Sequence, residues 1–253
     1  MKSLISIRYF LEFLLFNIIL FLLKIFSKKI SSKIISNTFL YFGKLSKYNQ
    51  IAKLLLQINA IKLKPKNPFT WSSGKKSPIY CDNRISLSHS EVRTFIRQHL
   101  VEGVISRYGK PDVIAGVATG AIAHGVLVAQ ELGVPFVYVR ASAKEHGRKN
   151  LIEGKVESGQ SVVVIEDLVS SGKSSLAAVQ ALRDGGFKVN GMGAIFSYGF
   201  EHAKKSFEEA NCELFTLGDY DTLIDQALET KYITKDDVEM LKVWREDPSI
   251  WNK

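Results

Sequence analysis

The sequence contains little cysteine, and it has no internal repeat or low-complexity linker. Its 253 residues include two cysteines, Cys81 and Cys212, which lie far apart in the chain. So few thiols exclude a disulfide framework and a cysteine-based metal cluster, and they favour reduced thiols in a cytosolic protein. With 46% hydrophobic residues, the chain can bury a full core as one domain with an appendage.

Acidic residues are nearly absent from the first 45 positions. Glu12 is the one acid there, against seven basic residues: Lys2, Arg8, Lys24, Lys28, Lys29, Lys33 and Lys44. Seven minus one gives +6 of the formal charge of +9, which leaves +3 for the rest of the chain. A nearly balanced body argues against a general polyanion-binding surface, so we expect no nucleic-acid partner.

The apolar N-terminal extension (residues 1–45) is open to more than one interpretation. Residues 10–26 are almost wholly apolar, and the stretch 4–26 is just long enough to span a bilayer as a transmembrane or signal-anchor helix. No small-residue cleavage site follows, which argues against a removed signal peptide. A translation start further along the chain is the other interpretation. In each case the body faces the cytoplasm, so we expect a cytoplasmic protein with membrane contact only through residues 4–26.

In the rest of the chain, apolar runs typical of strands alternate with segments that have the apolar spacing of a helix. Strands are predicted at Val113–Val117, Phe136–Val139, Val162–Ile165 and Met192–Phe196. Helices are predicted from Tyr48 to about Ile58 and at Glu91–Tyr108, Ile122–Leu132, Ser175–Asp184, Ala203–Ala210, Tyr220–Leu228 and Lys235–Arg245. The alternation implies an α/β fold, with a parallel sheet covered by helices on both faces. Prolines 65, 68 and 78 and Gly74 predict a hairpin-rich cap, mainly 46–88, before a core of 89–253 in a domain of 46–253.

The stretch from Ser161 to Ser175 carries the strongest chemical pattern. Val162–Ile165 is a β-branched run, typical of a strand buried on both faces. Two acids, Glu166 and Asp167, follow it, and a small polar loop then leads into helical spacing. N–H groups of such a loop and the positive end of the helix dipole bind anions, and strand ends in open α/β sheets face the ligand. The pattern favours a ligand with a phosphate at one end and hydroxyls or a metal at the other, such as a phosphorylated sugar.

Two plainer interpretations apply to the same stretch. Residues 172–174, Gly-Lys-Ser, end like a P-loop, but that motif needs a glycine where Asp167 stands, so a P-loop is disfavoured. The other interpretation is an ordinary turn between strand and helix whose acids are merely solvated. The local sequence leaves this second interpretation open.

Residues 163–172 (Val-Val-Ile-Glu-Asp-Leu-Val-Ser-Ser-Gly) resemble the phosphoribosyl-pyrophosphate (PRPP) motif of type I phosphoribosyltransferases. Segments 69–82, 114–120 and 139–147 narrow the resemblance to orotate phosphoribosyltransferases, and it runs from about Tyr48 to the C-terminus. It implies the type I phosphoribosyltransferase fold, a central parallel sheet flanked by helices with a small N-terminal cap, or hood, here preceded by the apolar extension. It also implies transfer of ribose 5-phosphate from PRPP to orotate, giving orotidine 5′-phosphate and pyrophosphate in pyrimidine nucleotide synthesis, with Mg²⁺ and in a homodimer.

The resemblance also assigns a PRPP site. Glu166 and Asp167 match the acids that hold the ribose hydroxyls. The other expected PRPP-binding residues are Leu168, Val169, Ser170, Ser171, Gly172, Lys173 and Ser174 in the motif, and Arg140, Lys144 and His146 before it. Ser170 to Ser174 would form the 5-phosphate cradle, although a solvated lysine at the start of a helix is an equal alternative for Lys173. No side chain is assigned to the metal, because Mg²⁺ is expected to be held mainly through PRPP.

Lys144, His146 and Asp167 are the expected catalytic residues. The polar segment 140–160, in which the first two lie, resembles the mobile loop that in this family closes over the neighbouring subunit's active site. When pyrophosphate leaves C1, negative charge builds on it and positive charge builds on the ribose. Cations next to the pyrophosphate would stabilise that negative charge. A role for His146 as proton donor and a role as hydrogen-bond donor both stay open.

Tyr80 and Ser170 are the expected orotate contacts. Tyr80 matches an aromatic residue that stacks on the pyrimidine ring, with a structural core tyrosine as the plainer alternative. Ser170 matches a hydroxylated position on the orotate side of the site.

The sequence departs from some family members at four places. Gly120 ends the segment 116–120, which looks like the pyrophosphate loop, and it stands where some members have lysine. Ser72 and Ala141 also replace lysines, and an arginine expected after Phe196 is absent from residues 197–200. Orotate specificity therefore rests on the cap segment 69–82, while PRPP use rests on several motifs.

Two other functions share the PRPP motif. A purine-base phosphoribosyltransferase is disfavoured by the cap segment 69–82. A non-catalytic PRPP-sensing regulator is expected to carry an added nucleic-acid-binding module, whereas the extension here is apolar.

Overall fold

The structure is a computed structural model that describes residues 48–70, 74, 76–142, 151–155, 157–248 and 251. The strands among these residues are β1 (Ile61–Leu63), β2 (Phe69–Thr70), β3 (Lys76–Ser77), β4 (Ile79–Cys81), β5 (Val113–Val117), β6 (Phe136–Val139), β7 (Ile152–Glu153), β8 (Ser161–Val169), β9 (Lys188–Ser197) and β10 (Leu214–Asp219). A six-stranded sheet has the order β10-β9-β8-β5-β6-β7. Its strands run parallel except β7, which pairs antiparallel with β6.

The structure describes seven α-helices, of which the third, fourth and fifth connect parallel strands of the sheet. They are α1 (described over 48–57), α2 (Ser90–Tyr108), α3 (Ile122–Leu132), α4 (Lys173–Asp184), α5 (Glu201–Glu209), α6 (Tyr220–Glu229) and α7 (Lys235–Glu246). The predicted α/β class and the parallel sheet flanked by helices are confirmed. The bounds of α3 are those predicted, and the other predicted helices differ from the observed ones by one or two residues at their ends.

The central strand β8 separates two apolar cores. Val163 and Ile165 belong to one core, and Val162 and Val164 belong to the other. This alternation follows from the two-residue period of a strand, and all four side chains are fully buried. Helices α2 and α3 contribute to the first core, and α4 contributes to the second. Both faces of the sheet are thus covered, which leaves its edges and strand ends for chemistry.

The cap consists of short antiparallel strands, as the prolines and glycine predicted. β1 pairs with β4, and β2 pairs with β3. A 3-10 helix, Asn83–Ser88, leads from β4 to α2. Ile61 and Ile79 are fully buried in the first core, so the cap is anchored to the sheet by apolar contacts.

Four strands of the sheet differ from the predictions. β9 spans Lys188–Ser197 rather than Met192–Phe196, and β7 was not predicted. β8 does not end at Ile165, because residues 166 to 169 continue to pair with β9. β10 was not predicted, although it completes the sheet by pairing in parallel with β9. The strands at Val113–Val117 and Phe136–Val139 have the predicted bounds.

The apolar extension lies outside the described residues. Its interpretation, and the division into 1–45 and 46–253, therefore stay predictions. Within the part of the chain that is described, no helix is both long enough and apolar enough to cross a membrane.

Candidate active site

The two acids of the central stretch lie in the last part of β8, at the carboxyl edge of the sheet. Successive side chains of a strand point to opposite faces, so the two acids have different surroundings. Glu166 is buried, with 4% of its surface exposed, whereas Asp167 is half-buried. One acid is therefore part of the interior and the other borders the strand ends.

Both carboxyl oxygens of Glu166 accept hydrogen bonds. Ser175 Oγ donates to Oε2 at 2.8 Å, and the Asp167 N–H donates to Oε1 at 3.0 Å. Burial, and then the charge of Asp167, raises the pKa of Glu166, while the Ser175 hydrogen bond acts in the opposite direction. Because Ser175 belongs to α4, Glu166 also ties the strand to the helix beyond the loop.

The carboxylate of Asp167 lies against the loop that follows β5. A Cβ atom placed on Gly120 would be 2.2 Å from Asp167 Oδ2, so a larger residue at this position would require the acid to shift. The peptide bond between Ala118 and Thr119 in this loop is cis. The structure thus places Asp167 against the loop at 116–120. The family resemblance assigns these two features to the ribose and pyrophosphate ends of one ligand.

The loop after β8 ends at the exposed start of α4. Gly172 is in the left-handed region at φ +78, and a Cβ there would be 2.9 Å from a Phe207 ring carbon. Glycine is therefore required both for the backbone conformation and for space. Lys173 and Ser174 are exposed, and the first turn of α4 contains no acid. A helix N-terminus without a competing acid attracts anions, which agrees with the predicted phosphate cradle.

A buried side chain of the cap holds the strand end that carries Asp167. Asn83 is fully buried, and its Nδ2 donates to the Asp167 carbonyl oxygen at 2.6 Å, across 84 positions in sequence. Its Oδ1 atom is buried without a hydrogen-bond partner among the described residues. The cap is thereby joined to the acid strand by a polar contact as well as by the apolar core.

His124 on α3 lies next to this contact. Ser86 Oγ donates to the Asn83 carbonyl oxygen at 2.6 Å, which leaves His124 Nε2, 3.2 Å away, to donate to Ser86 Oγ. Burial lowers the pKa of His124, although the charge of Asp167 acts in the opposite direction. We therefore assign a neutral imidazole that carries its proton on Nε2.

Tyr80 lies on the exposed side of the cap. It is 40% exposed, and its ring centroid is 5.6 Å from that of Phe69. This exposure distinguishes it from a core tyrosine such as Tyr198, which is 2% exposed. Cys81, the next residue, has a raised pKa because of burial and then the charge of Asp167.

Arg140 follows β6 at the same edge of the sheet. Its N–H donates to the Leu151 carbonyl oxygen at 2.8 Å, and its Nη1 lies 3.3 Å from Glu153 Oε1. The guanidinium is therefore paired within the protein. Lys144, His146 and Ser72 lie outside the described residues, so their assignments stay predictions.

A cavity of about 610 Å³ lies beside the strand ends of β9 and β10. It is lined by α5, α6 and α7 and includes Arg245, whose Nη2 is 3.5 Å from the Gly199 carbonyl oxygen. None of the predicted site residues lines this cavity. The candidate site is therefore defined by Asp167, Gly120 and the start of α4, an arrangement open to solvent.

Sequence reasoning missed Asn83 and the contact of Ser175 with Glu166. Asn83 directly follows the cap segment 69–82, which is the one signal that could have included it. No spacing rule links Asn83 to Asp167, because the contact depends on how the cap folds back on the sheet. Among the described residues, no three His, Cys, Asp or Glu side chains are grouped as a metal site.

Comparison with known proteins gives consistent matches. The phosphoribosyl transferase domain family matches residues 87–214. The orotate phosphoribosyltransferase of Phocaeicola vulgatus is 54% identical over 200 residues, which cover 79% of this chain and 94% of the relative. That of Listeria innocua is 51% identical over 209 residues, covering 83% and 100%. The crystal structure of orotate phosphoribosyltransferase from Aeropyrum pernix aligns with a TM-score of 0.64 at 26% identity, covering 73% of this chain and 99% of that one.

Proposed function

The chain belongs to the orotate phosphoribosyltransferases, and we propose that the carboxyl edge of its sheet is where PRPP and orotate react. In the reaction, N1 of orotate forms a bond to C1 of the ribose and gives up its proton to the departing pyrophosphate or to solvent. The bond from C1 to the pyrophosphate oxygen breaks, and its electron pair leaves with pyrophosphate. The products are orotidine 5′-phosphate and pyrophosphate.

The main support for this proposal is that the Asp167 carboxylate lies directly against Gly120. A ligand that contacts both residues must present a hydroxyl-bearing group to the acid and an anionic group to the loop. PRPP has its ribose hydroxyls next to C1, where the pyrophosphate is attached. The adjacency of Asp167 and the loop after β5 therefore matches the adjacency of the two groups on the substrate.

The loop from Ser170 to Ser174 binds the 5-phosphate in this proposal. Its support is the acid-free first turn of α4 and the left-handed Gly172, which turns the backbone into the helix. Loop N–H groups and the helix dipole would stabilise the phosphate without a lysine contact. Leu168 and Val169 contribute their backbone at the strand end. Glu166, with both oxygens already accepting protein hydrogen bonds, holds the strand and loop together and offers its remaining lone pairs to a ribose hydroxyl.

Mg²⁺ fits the donor set at this edge. Mg²⁺ prefers oxygen ligands and is usually bound by one or two carboxylates together with substrate phosphates. Asp167 supplies a partly exposed carboxylate against the loop assigned to pyrophosphate, and most of the metal's ligands would come from PRPP. When bound, the metal would neutralise charge on the leaving pyrophosphate.

We also propose that the base lies against Tyr80, with Ser170 at its orotate-side contact. The exposed ring of Tyr80 offers a face for stacking, and the base would then be held between the cap and the strand ends. Arg140, Lys144 and His146 would supply cations to the pyrophosphate, the last two at the partner subunit's site in a homodimer. The active domain would face the cytoplasm.

A panel of bases tests the proposed function. The purified protein is incubated with PRPP and Mg²⁺, and orotate, uracil, adenine and hypoxanthine are supplied in separate reactions. We expect pyrophosphate release with orotate, and turnover of uracil at least about 100-fold slower, because a site built around a charged group rejects an analogue that lacks it. Turnover of a purine alone would contradict the assignment.

A further inference from the structure

Arg84 is a cation of the cap whose orientation is fixed by its neighbour Asp82. Arg84 Nε donates to Asp82 Oδ1 at 2.7 Å, and Arg84 Nη2 donates to Asp82 Oδ2 at 2.8 Å. Asp82 is itself held, because its N–H donates to the Ala60 carbonyl oxygen at 2.8 Å and its Oδ1 accepts the Arg84 N–H at 3.2 Å. The guanidinium is therefore held by a two-point bond to an anchored carboxylate.

The pair with Asp82 uses only one edge of the guanidinium. A guanidinium has five N–H groups in a fixed plane, and the pair occupies the Nε–H and one hydrogen of Nη2. The opposite edge, formed by Nη1 and the second Nη2 hydrogen, makes no hydrogen bond to any residue that the structure describes. The side chain is 58% exposed, so this edge is accessible. It has the geometry that binds a second carboxylate through two parallel hydrogen bonds.

Arg84 is close in sequence to residues on both sides of the bond that forms between the base and the ribose. Arg84 directly follows Asn83, whose side chain contacts the Asp167 backbone, and it is four residues after the exposed Tyr80. After the bond to Asp82, which contributes most, the charges of Asp167 and Tyr80 both raise the pKa of Arg84. Arg84 thus belongs to the cap segment that runs from Tyr80 to the contact with the strand end of Asp167.

The chemistry of orotate fits that position. Its carboxylate is attached to C6, the ring atom next to N1, and N1 is the atom that bonds to the ribose. A ring stacked at Tyr80 with N1 directed toward the ribose held at Asp167 has its carboxylate on the ribose side of the ring. We propose that Arg84 binds the carboxylate of orotate through its Nη1 and Nη2 edge, and that Asp82 is the positioning residue that orients it. This inference rests on the proposed function and adds the residue that distinguishes orotate from uncharged pyrimidines.

Lys62 is another cation of the cap, and it lies opposite Tyr80 across the β1–β4 pair. Its ammonium group makes no hydrogen bond or ion pair with any described residue, including those of β8. A lysine is also a point charge without the two-point geometry of a guanidinium. We therefore assign carboxylate recognition to Arg84 rather than to Lys62.

Steady-state kinetics of Arg84→Ala test the assignment. We expect the KM for orotate to rise about 10- to 100-fold, the usual effect of losing a charge-assisted hydrogen bond, while the KM for PRPP changes less than about 2-fold. Arg84→Lys keeps the charge but loses the two-point hydrogen-bonding geometry, so its KM for orotate should be intermediate between those of the wild type and Arg84→Ala. Asp82→Asn should raise the orotate KM in the same direction by a smaller factor.

Matched controls separate this role from a general loss of charge or of folding. Arg107 is paired with Glu213 in an exposed arginine–carboxylate pair at the opposite end of the sheet, so Arg107→Ala should leave both KM values unchanged. Lys62→Ala should change the orotate KM less than about 2-fold. An unchanged orotate KM in a folded Arg84→Ala protein, an equal rise in the KM for PRPP, or a larger effect of Lys62→Ala would each overturn the assignment. Failure of the wild-type protein to use orotate would instead contradict the proposed function.

Discussion

At the scale of single residues, the site depends on buried polar contacts as much as on the acids themselves. Asn83 holds the backbone of Asp167 from the cap side, and Ser175 holds Glu166 from the helix side. Each contact spans elements that are distant in sequence or separated by a loop. The acids are therefore positioned before a ligand arrives, which reduces the entropic cost of aligning the substrate.

Replacing Asn83 with alanine should uncouple the cap from the acid strand. Loss of this hydrogen bond leaves the Asp167 carbonyl oxygen unpaired, which we expect to cost about 1–3 kcal/mol of stability and to lower kcat/KM about 10-fold or more. Denaturant unfolding and steady-state kinetics measure the two effects. Ser77→Ala is the control, because Ser77 is also fully buried in the cap but donates only to the nearby Ile79 carbonyl oxygen, at 2.8 Å. A stability loss without a larger kinetic effect than that of Ser77→Ala would show that Asn83 is purely structural.

Glu166 should make the stability of the ligand-free protein depend on pH. Because burial raises its pKa in the folded state, the folded chain binds this proton more tightly than the unfolded chain does. Its stabilising contribution is then fully present below the ordinary glutamate pKa and is lost as pH rises through the folded-state value. The free energy of unfolding of Glu166→Gln, relative to wild type, should therefore increase from pH 5 to pH 8 in urea titrations.

Glu239→Gln is the matched control for this measurement, since Glu239 is an exposed glutamate on α7. Its difference from wild type should be the same at both pH values. A Glu166→Gln difference that stays constant or decreases between pH 5 and pH 8 would contradict a raised pKa for Glu166.

At the scale of elements, helix α7 stabilises the fold without contacting the reactants. Its first turn is closed by a capping box, in which the Thr234 N–H donates to Asp237 Oδ2 at 2.9 Å and the Asp237 N–H donates to Thr234 Oγ1 at 3.3 Å. Thr234→Ala should lower the free energy of unfolding by about 1 kcal/mol and leave kcat unchanged. Thr234→Ser keeps the hydroxyl and should retain most of that stability. Equal stability of the alanine and serine variants would show that the cap contributes nothing.

The elements that the sequence predicted well are those with a strong local pattern. Helix α3 and the strand Val113–Val117 have the predicted bounds because their apolar residues follow one period up to a clear end. The two acids interrupt the apolar run and hid the true end of β8, because Leu168 and Val169 beyond them still pair with β9. β10 is an edge strand with half-buried positions, so its six residues carry a weak pattern.

The candidate site was predicted only where a motif was contiguous. Glu166, Asp167 and the loop to Ser174 lie in one run, and their places at a strand end and a helix start follow from the local pattern. Asn83 and His124 depend on how the cap and α3 meet β8, which no local pattern encodes. Gly120 was predicted as part of a loop, but its fit against the Asp167 carboxylate is a three-dimensional property.

At the scale of the whole molecule, the proposal requires two chains. Lys144 and His146 are proposed to act at the partner subunit's site, so one chain alone should be inactive. Mixing a Lys144→Ala/His146→Ala chain with a Glu166→Gln/Asp167→Asn chain gives a mixed dimer with one site built from two intact halves. Activity should recover toward about half of wild type per mixed dimer, as measured after subunit exchange. If exchange is demonstrated and activity does not return, the two cations act in their own chain's site.

The most direct measurement follows the ribose itself. PRPP labelled in the ribose is incubated with orotate, Mg²⁺ and either the wild-type protein or the Glu166→Gln/Asp167→Asn variant, and the labelled product is identified by mass spectrometry. The wild-type protein should give orotidine 5′-phosphate, and the folded variant should give none, because each amide replaces a carboxyl oxygen that accepts a ribose hydroxyl with an NH₂ group. Formation of the same product at a similar rate by both proteins would contradict a ribose site at Glu166 and Asp167.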